Sequence, residues 1–327
     1  MEIALASDFG KVEFSPESME EQMAKLEAAG ITHVHWAYDW EGDYLYSQWE
    51  MMQIKEILDR HHIKAKGVHA SECSTRGRIV NGLPTYVNRS SARGFRKYFA
   101  SFNEYNRKAG VELLLNRVDL ASFLGAKEIV LHMVLPYADF ENIPGYKEKY
   151  YEQAFRSLDE MESSCRLKGV RIAVENMIGT PKKFQYEQFD RLFERYSADY
   201  IGFCYDSGHS LITEEDEYEE DWKLLERYKD RLIAMHLDDN NGITQPEKKN
   251  LDTIIGTFDN HWIPFNGSVS WDKVCRLIAE SPYELPLLLE IVVPKRDTPE
   301  DEIEGLIQAR KAGEKLTETV LAYRKMK

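Results

Sequence analysis

Strand-like and helix-like segments alternate along the whole chain, and this alternation limits the fold more than any other property of the sequence. Strand signals fall at EIALASD (2–8), ITHVHWA (31–37), IKAKGVHA (63–70), KEIVLHM (127–133), VRIAVEN (170–176), YIGFCYD (200–206), RLIAMHLDD (231–239) and LPLLLEIVV (285–293). Helical sequence follows each of them. It runs over about Pro16–Ala29, Trp49–Arg60, a stretch ending at Leu124, Tyr150–Leu167, Gln185–Tyr196, an acidic segment to Tyr228, Trp271–Ala279, and from Pro299 onward. In the second helix Met52, Ile54, Ile57 and Leu58 supply the apolar positions. Several strands are near-continuous apolar runs, as expected of parallel strands buried on both faces. Eight uninterrupted strand–helix pairs close a barrel. A doubly wound open sheet is the competing architecture, but no glycine-rich turn follows the first strand. The expectation is an α/β fold, one (β/α)8 TIM barrel domain over residues 1–327, with long loops at about 71–93 and 240–270.

Composition narrows the setting. No apolar run reaches the roughly 20 residues of a membrane span, and MEIALASDFG lacks the pattern of a signal peptide. Cys73, Cys165, Cys204 and Cys275 form no CxxC pair, which suits a reducing cytoplasm. The net charge of −14 is concentrated in blocks such as Glu214–Glu217 and Glu219–Asp221, and it argues against a nucleic-acid partner.

In a barrel of this kind chemistry gathers at the carboxyl ends of the strands. Those ends carry His69 on the third strand, His132 on the fourth, Glu175 on the fifth, Asp206 on the sixth, His236 on the seventh and Glu290 on the eighth. His209 follows Asp206 in the turn, and Asp259 and His261 stand in the long seventh loop. Any one of these residues also suits core packing or helix capping. Six consecutive strands ending in a potential ligand are harder to explain that way. Three carboxylates buried together repel unless a cation holds them. Glu175, Asp206, His236 and Glu290 suit a hard or borderline divalent ion, whereas further histidines favour zinc.

The motifs AVEN (173–176), YDSGH (205–209), HLDDN (236–240), DNHWIPFNGSVSW (259–271) and LLLEI (287–291) occur in that order, with VHA (68–70) and IVLHM (129–133) upstream. Together they resemble the xylose-isomerase-like barrels, which include sugar phosphate isomerases and epimerases and endonuclease IV. In the ketose 3-epimerase branch, the resemblance implies one divalent metal on Glu175, Asp206, His236 and Glu290. Mn²⁺ comes first, with Mg²⁺, Co²⁺ or Zn²⁺ as alternatives, and there is no organic cofactor. It also makes Glu175 and Glu290 the acid and base and places His209 against a sugar oxygen. In endonuclease IV three zinc ions use all nine positions, His69, His132, Asp259 and His261 included. The length of the seventh loop raises the alternative that Asp259 and His261 only organise that loop.

The expected function is a metal-dependent sugar isomerase or epimerase that takes a proton from beside a carbonyl and passes through an enediolate. One alternative is a lyase that eliminates a substituent from an oxo-sugar, with His132 and His69 as base and acid. It resembles dehydratases and the catalytic subunit of C-glycoside deglycosidases, which pairs with a small second subunit. Endonuclease IV-like phosphodiester cleavage is a further alternative, and a barrel that only binds is the last. Trp36, Tyr38, Trp40, Trp262 and Phe265 are candidates to stack on a sugar, and Arg296 to meet a phosphate or hydroxyl. The expected partner is a small sugar or sugar derivative, not nucleic acid or membrane, and the barrel is expected to oligomerise.

Overall fold

The computed structural model describes residues 1–9, 16–38, 43–70, 75–80, 83–88, 97–178, 180–212, 219–242, 259–293 and 299–326, with backbone alone over 75–80 and 83–88. Trp40, Arg296 and the Glu214–Glu217 block lie outside these residues.

The barrel strands are β1 (Ala4–Ala6), β2 (His33–Trp36), β3 (Lys64–His69), β6 (Glu128–Leu131), β7 (Arg171–Glu175), β8 (Ile201–Asp206), β9 (Leu232–His236) and β10 (Leu288–Leu289). They pair in parallel, in the order β10-β1-β2-β3-β6-β7-β8-β9. The ring closes where Leu237 pairs with Leu289, through hydrogen bonds from Leu237 N to Leu288 O (3.0 Å) and from Glu290 N to Leu237 O (3.2 Å). An α/β (β/α)8 barrel is what the alternation predicts. The stretch read as a loop over 71–93 carries a two-stranded antiparallel hairpin, β4 (Thr75–Val80) with β5 (Leu83–Asn88).

The helices are α1 (Pro16–Ala29), α2 (Gln48–Arg60), α3 (Glu104–Leu124), α4 (Tyr137–Asn142), α5 (Tyr146–Lys168), α6 (Lys182–Arg195), α7 (Ser207–Leu211), α8 (Lys223–Tyr228), α9 (Trp271–Glu280) and α10 (Pro299–Lys325). Their ends follow local chemistry. Ser47 and Glu50 form a reciprocal capping box at the start of α2. Asn103 caps α3 on the backbone N–H groups of Tyr105 and Asn106, and Gly125 closes that helix at φ 84°. On α2 the buried residues are Met51, Ile54, Ile57 and Leu58, while Met52 faces outward, one position from the expected phase. Among the described residues no helix is long and apolar enough to cross a membrane.

Inside the barrel, Ala6 is in register with His35, and His35 with Gly67. A side chain on Gly67 would place its Cβ 2.8 Å from His35 Nδ1, so the imidazole occupies the space glycine leaves. Beside it Val130, Ala173, Cys204, Ile233 and Ala234 form a small apolar plug. The His35 ring stands edge-on to those of His69 (5.8 Å) and His236 (5.2 Å), and supports them from below. Gly67→Ala is therefore expected to cost about 1–3 kcal/mol through overpacking. A thermal melt equal to wild type would show that the floor yields freely.

Candidate active site

Each barrel strand from β3 onward delivers one polar side chain to the same mouth. His69, Glu175, Asp206 and His236 are the last residues of β3, β7, β8 and β9, while His132 and Glu290 follow directly on β6 and β10. Glu175, Asp206 and His236 are fully buried. The backbone fixes their positions. Asn176 clamps the ends of β7 and β8, accepting from Asp206 N (2.8 Å) and donating to Asp206 O (2.9 Å) and Ser210 Oγ (3.0 Å). Asp206 Oδ1 accepts from His209 N at 2.6 Å, which caps the short α7 and turns His209 back over the mouth.

Three groups of donor atoms result, each with its atoms within 4.8 Å of one another: His69, Glu175 and His236; Glu175, Asp206, His236 and Glu290; and His209, Asp259 and His261. Hydrogen bonding shows why a cation fits them. His209 Nδ1 lies 3.1 Å from Asn176 O, and His261 Nδ1 lies 3.1 Å from Glu290 O. A carbonyl only accepts, so Nδ1 carries the proton on both rings. In the neutral rings Nε2 then presents a lone pair, yet both Nε2 atoms face the same oxygen, Asp259 Oδ2, at 3.3 and 3.1 Å. The other group repeats this arrangement. His69 Nδ1 sits 3.0 Å from Ala70 O, while its Nε2 faces His132 Nε2 at 3.1 Å, itself 3.1 Å from Glu175 Oε2. Electron pairs converging on carboxylates need a proton or a metal ion between them. Asp206 Oδ2 and His236 Nε2 have no hydrogen-bond partner despite full burial. These residues fit a divalent ion.

The protonation pattern has the same origin. Burial raises Glu175, but His236 and His132 outweigh it and hold the carboxyl well below its usual range. Glu290 is held at about 2 against its burial, chiefly by His236. Asp206 is pushed up to about 7 by burial, with Glu175, Glu290 and Asp259 adding to the rise. Burial opposes charge on His209, His236 and His261, yet the facing carboxylates raise all three. His69 is lowered to about 3 by burial and by His132 and His236.

Asp259 and His261 return to this mouth despite the long connection before them. Asp239 and Trp262 form an antiparallel bridge, with N–H to O distances of 2.8 and 3.0 Å. The Asp239 carboxylate accepts from Phe265 N (2.9 Å), Val269 N (3.1 Å) and Trp271 Nε1 (2.8 Å). His261 stands at φ 45°, a left-handed conformation that costs energy away from glycine, and its carbonyl is held by Val292 N at 2.9 Å. The organising residue of this segment is Asp239; Asp259 and His261 project into the site. Asp239→Ala would strand these three donors and Asn240 N, which also donates to Oδ1 at 2.9 Å, and is expected to cost roughly 3 kcal/mol or more. Ion binding at His209, Asp259 and His261 should fall with it. Unchanged melting together with unchanged metal content would contradict this role.

Two of the expected substrate contacts are placed differently. Trp36 is fully buried, packs at a tilt against Tyr38 (ring centroids 4.6 Å apart) and donates to Tyr46 Oη at 3.3 Å. It faces the helices because its neighbour His35 faces the barrel, so it is a packing residue. Tyr38 is buried beside it but lies within the electrostatic reach of Asp8 at the mouth. Phe265 is partly exposed and packs on Trp271 (5.8 Å), with Lys315 Nζ 3.8 Å above its ring. Three groups at or beneath the mouth add to those expected from the strand ends: the buried His35 and Asp238, and the partly exposed Asp8. Asp8 was detectable, since EIALASD puts a carboxylate at the end of the first strand just as the other strands do. Asp238 has neither oxygen hydrogen-bonded, and burial together with Asp206 raises it well above the usual carboxylate range. A cavity of about 750 Å³ lined by Lys66, Glu128, Arg171 and Tyr283 lies at the opposite, amino-terminal end, away from these groups.

Residues 17–312 match the family described as the xylose isomerase-like TIM barrel. The chain belongs to that family, and it is an enzyme. An uncharacterised protein, y4fM, of Sinorhizobium fredii is 33% identical over 275 residues, covering 84% of this chain and 81% of that protein. An inosose dehydratase of Lacticaseibacillus casei is 24% identical over 182 residues, covering 53% of this chain and 59% of that enzyme. Among solved structures, a D-tagatose 3-epimerase-like protein superposes with a TM-score of 0.64 at 18% identity, covering 98% of this chain and 100% of that one. That likeness is one of fold.

Proposed function

We propose that the protein is a divalent-metal-dependent enzyme that removes a proton from the carbon beside a carbonyl of a sugar or cyclic polyol ketone. The observation that carries this reading is the pair Glu175 and Glu290, both held ionised in one donor group with Asp206 and His236. A metal ion on those four residues would supply Lewis-acid stabilisation of the negative charge that develops on substrate oxygens. Three carboxylates and one imidazole favour Mn²⁺ over zinc. Glu175 and Glu290 both reach His236 Nδ1, at 3.1 and 3.2 Å. One takes the proton and the other returns it, which inverts the carbon.

The first step also serves elimination, the chemistry named for the inosose dehydratase relative. In that course His132, 3.1 Å from Glu175 and 3.1 Å from His69, would hold the proton for a departing hydroxyl. Incubating the Mn²⁺-loaded protein with ketoses and inososes in deuterated water separates the courses. Deuterium at the carbon next to the carbonyl supports both; an inverted product marks epimerisation, and loss of water marks dehydration. Absence of exchange across the panel defeats the proposal.

A second reading rests on a separate observation. The convergence of His209 and His261 on Asp259 is not required by a one-ion sugar enzyme. It suits a multi-ion phosphodiesterase of the endonuclease IV kind, although the net charge of −14 opposes a grip on DNA. Several zinc ions per chain with cleavage of abasic DNA would favour it. About one ion per chain with sugar exchange would remove it.

A further inference from the structure

The carboxylates of the mouth are accounted for by the three donor groups, with Asp8 and Asp238 left over. Asp238 is fully buried, whereas Asp8 is partly exposed. The backbone around it is fixed on both sides: Ser7 N donates to His35 O (2.9 Å), Ser7 Oγ accepts from Ala37 N (2.9 Å), and Phe9 O accepts from Val293 N (2.9 Å). These bonds tie residues 7–9 between β2 and the segment after β10. Ala6, the last residue of β1, shares its register with the inward-facing His35, and Asp8 stands in the turn that leaves the carboxyl end of that strand. Its charge acts on Glu290, His261 and His236 across the mouth, and on Tyr38 beside it.

No Lys or Arg among the described residues pairs with Asp8, and it belongs to none of the donor groups. Burial and the neighbouring Glu290 disfavour its charge, and His261 and His236 offset this only in part. Donors brought from solution would relieve it. Hydroxyl groups are such donors, whereas a phosphate placed there would add like charge.

Resting on the sugar-enzyme reading above, we propose that Asp8 is a specificity-determining residue. Its carboxylate accepts a hydrogen bond from a substrate hydroxyl remote from the reacting carbonyl and turns away substrates phosphorylated at that end. The natural substrate is then an unphosphorylated polyhydroxylated ketone.

The test compares wild type and Asp8→Asn, both Mn²⁺-loaded, on the keto-sugar that wild type exchanges fastest. Its deoxy analogues and its phosphate ester are measured alongside. The variant should raise KM by about 10- to 100-fold, the usual loss for a hydrogen bond to a charged group, with kcat within a few-fold. Metal content and melting temperature should match wild type. On the analogue lacking the recognised hydroxyl the two proteins should have equal KM, and the preference over the phosphate ester should shrink. If wild type exchanges no sugar, the functional reading fails and this assignment falls with it. If wild type is active and Asp8→Asn keeps its KM, or loses metal, the reading stands and the assignment alone is overturned.

Discussion

Glu175→Gln is expected to lower solvent-deuterium exchange by about 10³-fold or more. Removing a general base alone costs 10²–10⁴-fold, and this residue carries more than one duty. It belongs to two of the donor groups. Its Oε2 lies 3.1 Å from both His132 Nε2 and His236 Nδ1, and its Oε1 lies 3.2 Å from His209 Nδ1. Glutamine keeps the volume, so the packing around this fully buried side chain should survive. It removes the charge that three imidazoles face and presents an amide N–H where one of them donates. The bound ion should weaken along with turnover. Glu290→Gln makes the informative comparison, because Glu290 belongs to only one group. It should abolish turnover while leaving the His69 side of the site intact. Circular dichroism should show both variants folded. A Glu175→Gln protein with more than a tenth of wild-type exchange would remove this residue from the proton path.

The barrel is legible in the sequence because strand and helix periods differ and each strand is buried on both faces. The cluster of polar residues at the mouth is legible because it repeats one rule, a polar residue where an apolar strand stops. What escaped detection follows from the limits of that rule. Asp8 is obscured because EIALASD reads as one continuous strand, whereas β1 ends at Ala6, two residues before it. His35 sits inside the barrel only because Gly67 lacks a side chain, a contact between strands that no single segment reveals. Trp36 and His35 are adjacent, and the choice of which faces the barrel decides whether Trp36 meets substrate. Period-two alternation leaves that choice open until the register with β3 is known. The return of Asp259 and His261 depends on the hydrogen bonds gathered by Asp239, another residue the motif contains but does not explain. The hairpin within 71–93 depends on antiparallel pairing between two short stretches of weak alternation.

Stripping the metal should destabilise the fold as well as silence it. In the loaded protein an ion would offset four buried or nearly buried carboxylates, Glu175, Asp206, Asp259 and Glu290. Binding at about 1,000 times the dissociation constant contributes about 4 kcal/mol to stability. For a chain of this size that corresponds to a fall of roughly 6 °C or more in melting temperature on chelation. Mn²⁺ should restore it, and a melting temperature indifferent to chelator would mean that protons alone hold the site together. The stripped protein should also become sensitive to pH. His209, His236 and His261 bind protons more tightly when folded, because the carboxylates around them favour the charged ring. That stabilisation is complete below the ordinary imidazole value of 6.5 and is lost as pH rises through the higher folded values. Raising the pH from about 6.5 should therefore lower the melting temperature of stripped protein more than that of loaded protein. In the loaded protein the ion takes the place of those protons, so its curve should stay flatter over the same range.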